Sequence, residues 1–191
     1  SLDIVFAVAG ATTIASSGGV NTIKGFDLVP TLSATGDNTF KVTGKDVTGS
    51  ADVLKVSSVE SNSGATNTIE AVGIETLEIT VKDTSSNATS DTRAFDLDKF
   101  EGTAVKFSQD AASTGGALTV TLNSTVLHKN VTNVDSTGLK GLTTIDASNA
   151  SNSVTFDLSS GAVQTIDGGA KADTFNIAET GGVDHVITGN G

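Results

Sequence analysis

The segment GGAKADTFNIAETGGVDHVI, residues 168–187, holds two glycine-led turns, each passing through an Asp into a short run that alternates apolar and polar side chains. Glycine reaches backbone conformations closed to other residues, Asp favours tight turns, and a period of two is the mark of a half-buried strand. Turn and strand therefore follow each other with no room for a helix between them.

The same alternation extends outward through the chain. It recurs in NTFKVTG (38–44), ADVLKVSSV (51–59), IETLEITVKD (74–83), TAVKFSQ (103–109), ALTVTLNS (117–124) and NSVTFDLSS (152–160). Helical periodicity is missing, while β-branched Thr, Val and Ile are abundant. The chain is read as all-β.

Short strands separated by Gly, Asn, Ser and Asp clusters suit a stacked solenoid or a sandwich. Three features favour an irregular parallel β-solenoid or β-roll, with a β-sandwich as the second choice. The phrase Asp52-Val53-Leu54-Lys55-Val56 is echoed by Asp173-Thr174-Phe175-Asn176-Ile177, and more loosely by Asn38-Thr39-Phe40-Lys41-Val42. Apolar-Asp steps at Val134-Asp135, Ile145-Asp146 and Ile166-Asp167 suggest successive rungs with an Asp at similar corners. Pro30 is the only proline, as suits backbone amides committed to long ladders.

Three stretches are expected along one continuous piece of a larger chain. Residues 1–35 form a leading irregular β segment, 36–167 a solenoid-like body, and 168–191 the start of a calcium-binding roll. Residues 85–93 (SSNATSDTR) read as a surface loop.

Composition narrows the function. The 191 residues carry 11 Lys and Arg against 22 Asp and Glu, a formal net charge of −11, and 16 of the acids are Asp. So few scattered cations do not neutralise a row of phosphates, which argues against nucleic acid and against anionic membranes. The apolar run at 4–15 is too short and mixed to span a bilayer, so no membrane insertion is expected. With no Cys, disulfides and thiolate chemistry are excluded, and with no Trp or Tyr the usual stacking platforms for sugars and bases are missing.

Catalytic constellations are also missing. His128 and His185, the only imidazoles, lack partners at ligand spacing, and His185 reads as solvated. No G-x-S-x-G elbow or phosphate-binding glycine loop occurs. Asp96 and Asp98 share a strand face opposite Phe95 and Leu97, the pattern of a solvated edge rather than a carboxylate pair in a cleft. No enzymatic activity is expected.

Cation chemistry is better represented. Calcium-binding rolls repeat the nonapeptide G-G-x-G-x-D-x-U-x, with U a large apolar residue. Residues 168–176 follow that pattern except that Lys171 occupies a glycine position, and Gly182-Val183-Asp184-His185-Val186-Ile187 keeps its second half. Ca²⁺ wants six to eight oxygens and is held between stacked turns. The candidate ligands are Asp167, Gly168, Gly169, Asp173, Gly182 and Asp184.

With these residues in view, the chain resembles the RTX-type surface-layer (S-layer) proteins of Gram-negative bacteria. ADVLKV (51–56), GIETLEI (73–79), TTIDASNASNSVTFDLS (143–159) and VQTIDGGAKADTFNIA (163–178) carry the resemblance, the last being the most specific. It implies a β-solenoid of irregular rungs, calcium-dependent folding, type I secretion and an extracellular location at the bacterial cell surface. The partners it implies are other copies of the chain in a lattice, with cell-surface polysaccharide met through another region of the parent. The alternatives are the RTX repeat region of a surface adhesin and the C-terminal calcium-binding roll of a secreted hydrolase.

Overall fold

The computed structural model describes residues 2–5, 13–16, 19–26, 31–44, 52–60, 65–83, 91–109, 120–139, 143–158, 163–177 and 184–189. Among these, all regular structure is strand. Seventeen strands run in chain order: β1 (Leu2–Val5), β2 (Thr13–Ser16), β3 (Gly19–Phe26), β4 (Thr31–Thr35), β5 (Asn38–Gly44), β6 (Val53–Glu60), β7 (Ala65–Val72), β8 (Thr76–Asp83), β9 (Asp91–Leu97), β10 (Ala104–Gln109), β11 (Val120–Leu127), β12 (Asn133–Gly138), β13 (Thr143–Asp146), β14 (Thr155–Leu158), β15 (Gln164–Asp167), β16 (Thr174–Ile177) and β17 (Val186–Thr188).

Odd-numbered strands form one nine-stranded sheet in sequence order, and even-numbered strands form an eight-stranded sheet facing it. Every pairing of these strands is parallel. Parallel neighbours within one sheet need a long return connection. Here the return is the strand of the opposite sheet, so each coil of the solenoid is one odd and one even strand. This is the parallel β-solenoid of the sequence reading.

Coil length varies. The odd sheet aligns Leu2 with Asn21, Asn38 with Asn67 and Thr165 with Val186, so the step between coils goes from 19 residues to 29 and back to 21. In the even sheet Thr13 aligns with Thr31, a step of 18. Excess length is carried between strands while the ladders keep their register, with bulges only at a few positions such as Lys106/Ser108.

The core is made by stacking inward side chains in columns. One column of the even sheet runs Leu54, Leu77, Val105, Val134, Phe156 and Phe175, each aligned with the next. The first five are fully buried, and each such side chain contributes roughly 1.5–3 kcal/mol by leaving water. Phe95 of the odd sheet and Phe107 of the even sheet meet across the core with ring centroids 6.2 Å apart. Two polar bridges also cross it: Asn67 donates to Ser58 Oγ at 3.1 Å, and Gln164 donates to Ser136 Oγ at 2.8 Å.

The structure refines several sequence expectations. Asp52 and Asp173 do occupy one column, each immediately before its even-sheet strand, but the looser copy beginning at Asn38 lies in the odd sheet. Asp146 and Asp167 align in adjacent coils, whereas Asp135 belongs to the other sheet, where it aligns with Asp157. Within the opening stretch the described strands pair in parallel, β1 with β3 and β2 with β4. Residues 91–93 open β9 instead of closing a loop, and residues 85–90 lie outside the described residues. Positions 35–36 and 167–168 lie at strand ends, and parallel ladders join the coils on either side of them, β3 to β5 and β4 to β6 at the first and β13 to β15 and β15 to β17 at the second.

Candidate functional site

Residues 167–173 turn the chain from β15 in the odd sheet to β16 in the even sheet. Gly168 N donates to Thr188 O at 2.8 Å, tying the turn to the coil above. Ala170 N reaches Ala150 O at 3.3 Å and Thr174 N reaches Val154 O at 2.9 Å, tying it to the coil below. The turn is held on both sides.

Asp173 is its centre. Its Oδ2 accepts the backbone N–H of Gly169 at 2.8 Å, closing the turn on itself. Its Oδ1 accepts the N–H of Val154 at 2.9 Å, 19 residues back in the preceding coil. Gly168 is required by this geometry, because a Cβ there would stand 2.5 Å from Asp173 Oδ2 and 3.2 Å from Thr188 O. Gly169 is buried against Ala150, whose carbonyl oxygen would lie 3.1 Å from an added Cβ.

The same device recurs at the same corner. Glu75 immediately precedes β8 as Asp173 precedes β16, and its Oε2 accepts the N–H of Asp52, 23 residues back, at 2.8 Å. In both places an acid of one coil satisfies a main-chain donor of the coil before it. Charge-assisted bonds of this kind are about twice as strong as neutral ones.

The other candidate ligands are spread more widely. Asp167 is half-buried at the end of β15, aligned between Asp146 and Thr188. Asp184 is exposed just before β17, Lys171 is exposed at the turn, and Gly182 lies outside the described residues. Among the described residues no three His, Cys, Asp or Glu side chains gather as a metal group. Each carboxylate oxygen of Asp173 accepts one backbone N–H, so in this structure the side chain serves as an amide clamp.

Outward side chains of the even sheet form a charged ladder. Lys55, Glu78, Lys106, Asp135, Asp157 and Asn176 occupy successive coils. Lys55 meets Glu78 at 3.6 Å, Lys106 meets Asp135 at 3.7 Å, and Asn176 donates to Asp157 Oδ1 at 2.8 Å. On the odd sheet Glu70 sits between Lys41 at 3.2 Å and Lys99 at 3.3 Å. Burial acts to raise the Glu70 carboxyl, but hydrogen bonds and charge from these two ammonium groups outweigh it and hold the group below its ordinary value.

The remaining sequence candidates have structural surroundings. Asp96 and Asp98 are exposed opposite buried Phe95 and Leu97, as the alternation predicts. His128 Nδ1 accepts the N–H of Asn130 at 3.2 Å within a turn. His185 departs from its solvated reading: it is half-buried, and both ring nitrogens are covered without a hydrogen-bond partner. Its place in phase with inward-facing Ile187 explains this, because a period-two strand turns both to the core. Gln164 and Asn67 were not singled out in the sequence, although each is in phase with a core Ile, at 166 and 69, which is the signal of an inward polar group.

None of the family models, curated proteins or solved structures compared with the chain matches it.

Proposed function

We propose that the chain is a structural, non-catalytic module of a secreted bacterial surface layer, assembling with its own copies at the cell surface. The observation that carries this reading is the two-sheet parallel roll whose shortest coil step, Thr13 to Thr31, is 18 residues, twice the nonapeptide of calcium-binding rolls. The resemblance of residues 163–178 to the RTX-type S-layer proteins supplies the biological context. Two sheet faces carrying short and charged side chains suit lateral packing against like neighbours.

Calcium has a restricted place in this proposal. Asp173 closes its turn with backbone amides, so an ion is not assigned to it. The net charge of −11 and the alignment of Asp146 with Asp167 instead make divalent cations stabilising by relieving repulsion between acids. Electron microscopy of the purified chain, before and after addition of millimolar Ca²⁺, tests the proposal. Ordered sheets or filaments of regular spacing are expected. Dispersed particles that instead bind a foreign cell or matrix ligand would move the function to the adhesin alternative.

A further inference from the structure

The outward ladder of the even sheet carries a charge pattern that is unchanged when its order is reversed and its signs are exchanged. Lys55, Glu78, Lys106 and Asp135 stand on successive coils in the order plus, minus, plus, minus. Their side chains are 62%, 38%, 53% and 26% exposed, and the two pairs within the chain meet at 3.6 and 3.7 Å, too far for hydrogen bonds. Exposed pairs of this kind hold each other weakly, so the charges are open to further partners. The side chains beside the middle two rungs are short, Thr76 and Ala104 on one side and Thr80 and Ser108 on the other, which lets a second surface come close.

We infer that this face docks on the same face of a second copy, about a two-fold axis that runs along the strands and passes between β8 and β10. The inference rests on the self-assembly reading above and assigns it a surface. Such an axis reverses the order of the coils while keeping each outward column opposite itself. Glu78 then meets Lys106 of the second copy and Lys55 meets its Asp135, so each of the four charges faces its opposite. Asp157, the next ladder position, falls at the level of the copy's Thr31, which is uncharged. Charge disfavours the other arrangements. An axis along the solenoid would set each coil against itself, Glu78 on Glu78 and Lys106 on Lys106. A slip of one coil sets Lys106 on Lys106 in one direction and Glu78 on Glu78 in the other. The odd sheet offers no such match, because its outward Asp96, Asp146 and Asp167 share one column and one sign. The contact is isologous and closes on two copies, supplying one of the contacts a lattice needs.

Sedimentation velocity on charge variants tests this contact. Glu78→Lys and Lys106→Glu should each weaken self-association roughly tenfold or more, since like charges then face each other across the axis. Mixed in equal amounts, or combined in one chain, the two substitutions should restore association to near the wild-type level, because every facing pair is again opposite. A misfolded variant is not rescued by mixing, so the recovery separates lost contact from lost fold. High salt should weaken the wild type and the double variant alike. Register has its own readout, because the protein has no cysteine and crosslinking is free of background. Val53 and Asn133 lie in one outward column on the first and last coils of the ladder, so the axis brings Val53 of one copy opposite Asn133 of the other. A short bismaleimide is expected to join Val53→Cys to Asn133→Cys in a mixture and neither variant to itself. Either variant crosslinking with itself, or wild type binding Glu78→Lys more tightly than it binds its own copies, would overturn the inference in favour of an axis along the solenoid. Association that neither charge reversal changes would remove this face while leaving self-assembly standing. A monomer at every concentration would defeat both.

Discussion

The carboxylate of Asp173 holds the main-chain amide of Val154 in the preceding coil, with Oδ1 accepting that N–H at 2.9 Å. Its second oxygen holds Gly169 at 2.8 Å, so one side chain closes its own turn and fastens that turn to its neighbour. A solenoid has few contacts between distant coils, and its stability is close to a sum of coil and interface contributions. A single inter-coil clamp therefore matters chiefly to the coils it joins.

Asp173→Ala is expected to lower the stability of the last two coils by about 1–3 kcal/mol, since two part-buried donors lose their acceptor. Asp173→Asn should fall between, because its amide has one acceptor oxygen in place of two. Hydrogen exchange at Val154 and Gly169, with EGTA and then with Ca²⁺, checks both. Equal losses in the two conditions fit an amide clamp, and a loss confined to Ca²⁺ would make Asp173 an ion ligand.

Gly168→Ala should destabilise by about 1–3 kcal/mol through overpacking against the Asp173 carboxylate. In an Asp173→Ala background its cost should shrink, because the atom it collides with is gone. Gly102→Ala is expected to be worse. Its Cβ would meet the backbone oxygens of Ile74 at 2.5 Å and Glu75 at 2.7 Å, which do not swing aside as a side chain does. Urea melts of the three variants and the double mutant give the comparison.

Glu70 predicts a pH dependence. Its carboxyl is depressed in the folded state, so its contribution is fully present above its ordinary value of 4.5 and is lost as pH falls through the folded value. Glu70→Gln should cost less than about 1 kcal/mol at neutral pH, because Lys41 and Lys99 are largely solvent-exposed. In acid, well below pH 4.5, wild type and variant should converge, and high salt should reduce the neutral-pH difference. A difference that grows on acidification would contradict the ion-pair account.

How much of this was legible in the sequence differs by feature. Phe95 and Leu97 against Asp96 and Asp98 declared both strand and facing, because a period of two maps directly onto core and solvent. The echo of Asp52 in Asp173 likewise marked one structural column. Its copy at Asn38 misled because alternation tells which side of a strand is buried but not which of two parallel sheets the strand joins. The coil step was hidden for a related reason: successive coils differ in length, stepping 19 residues between β1 and β3 and 29 between β5 and β7. At the candidate site, a glycine turn followed by Asp announced a carboxylate with work to do. Whether its partners are amides or an ion depends on where Val154 N and Gly169 N point, and that comes only from the stacked coil.

The central claim is that this solenoid is an assembling structural module. Sedimentation velocity combined with circular dichroism, in excess EGTA and then in millimolar Ca²⁺, tests it most directly. The account predicts a β spectrum that persists in EGTA and reversible growth of larger species with protein concentration, strengthened by Ca²⁺. A folded monomer at all concentrations and in both conditions would contradict it.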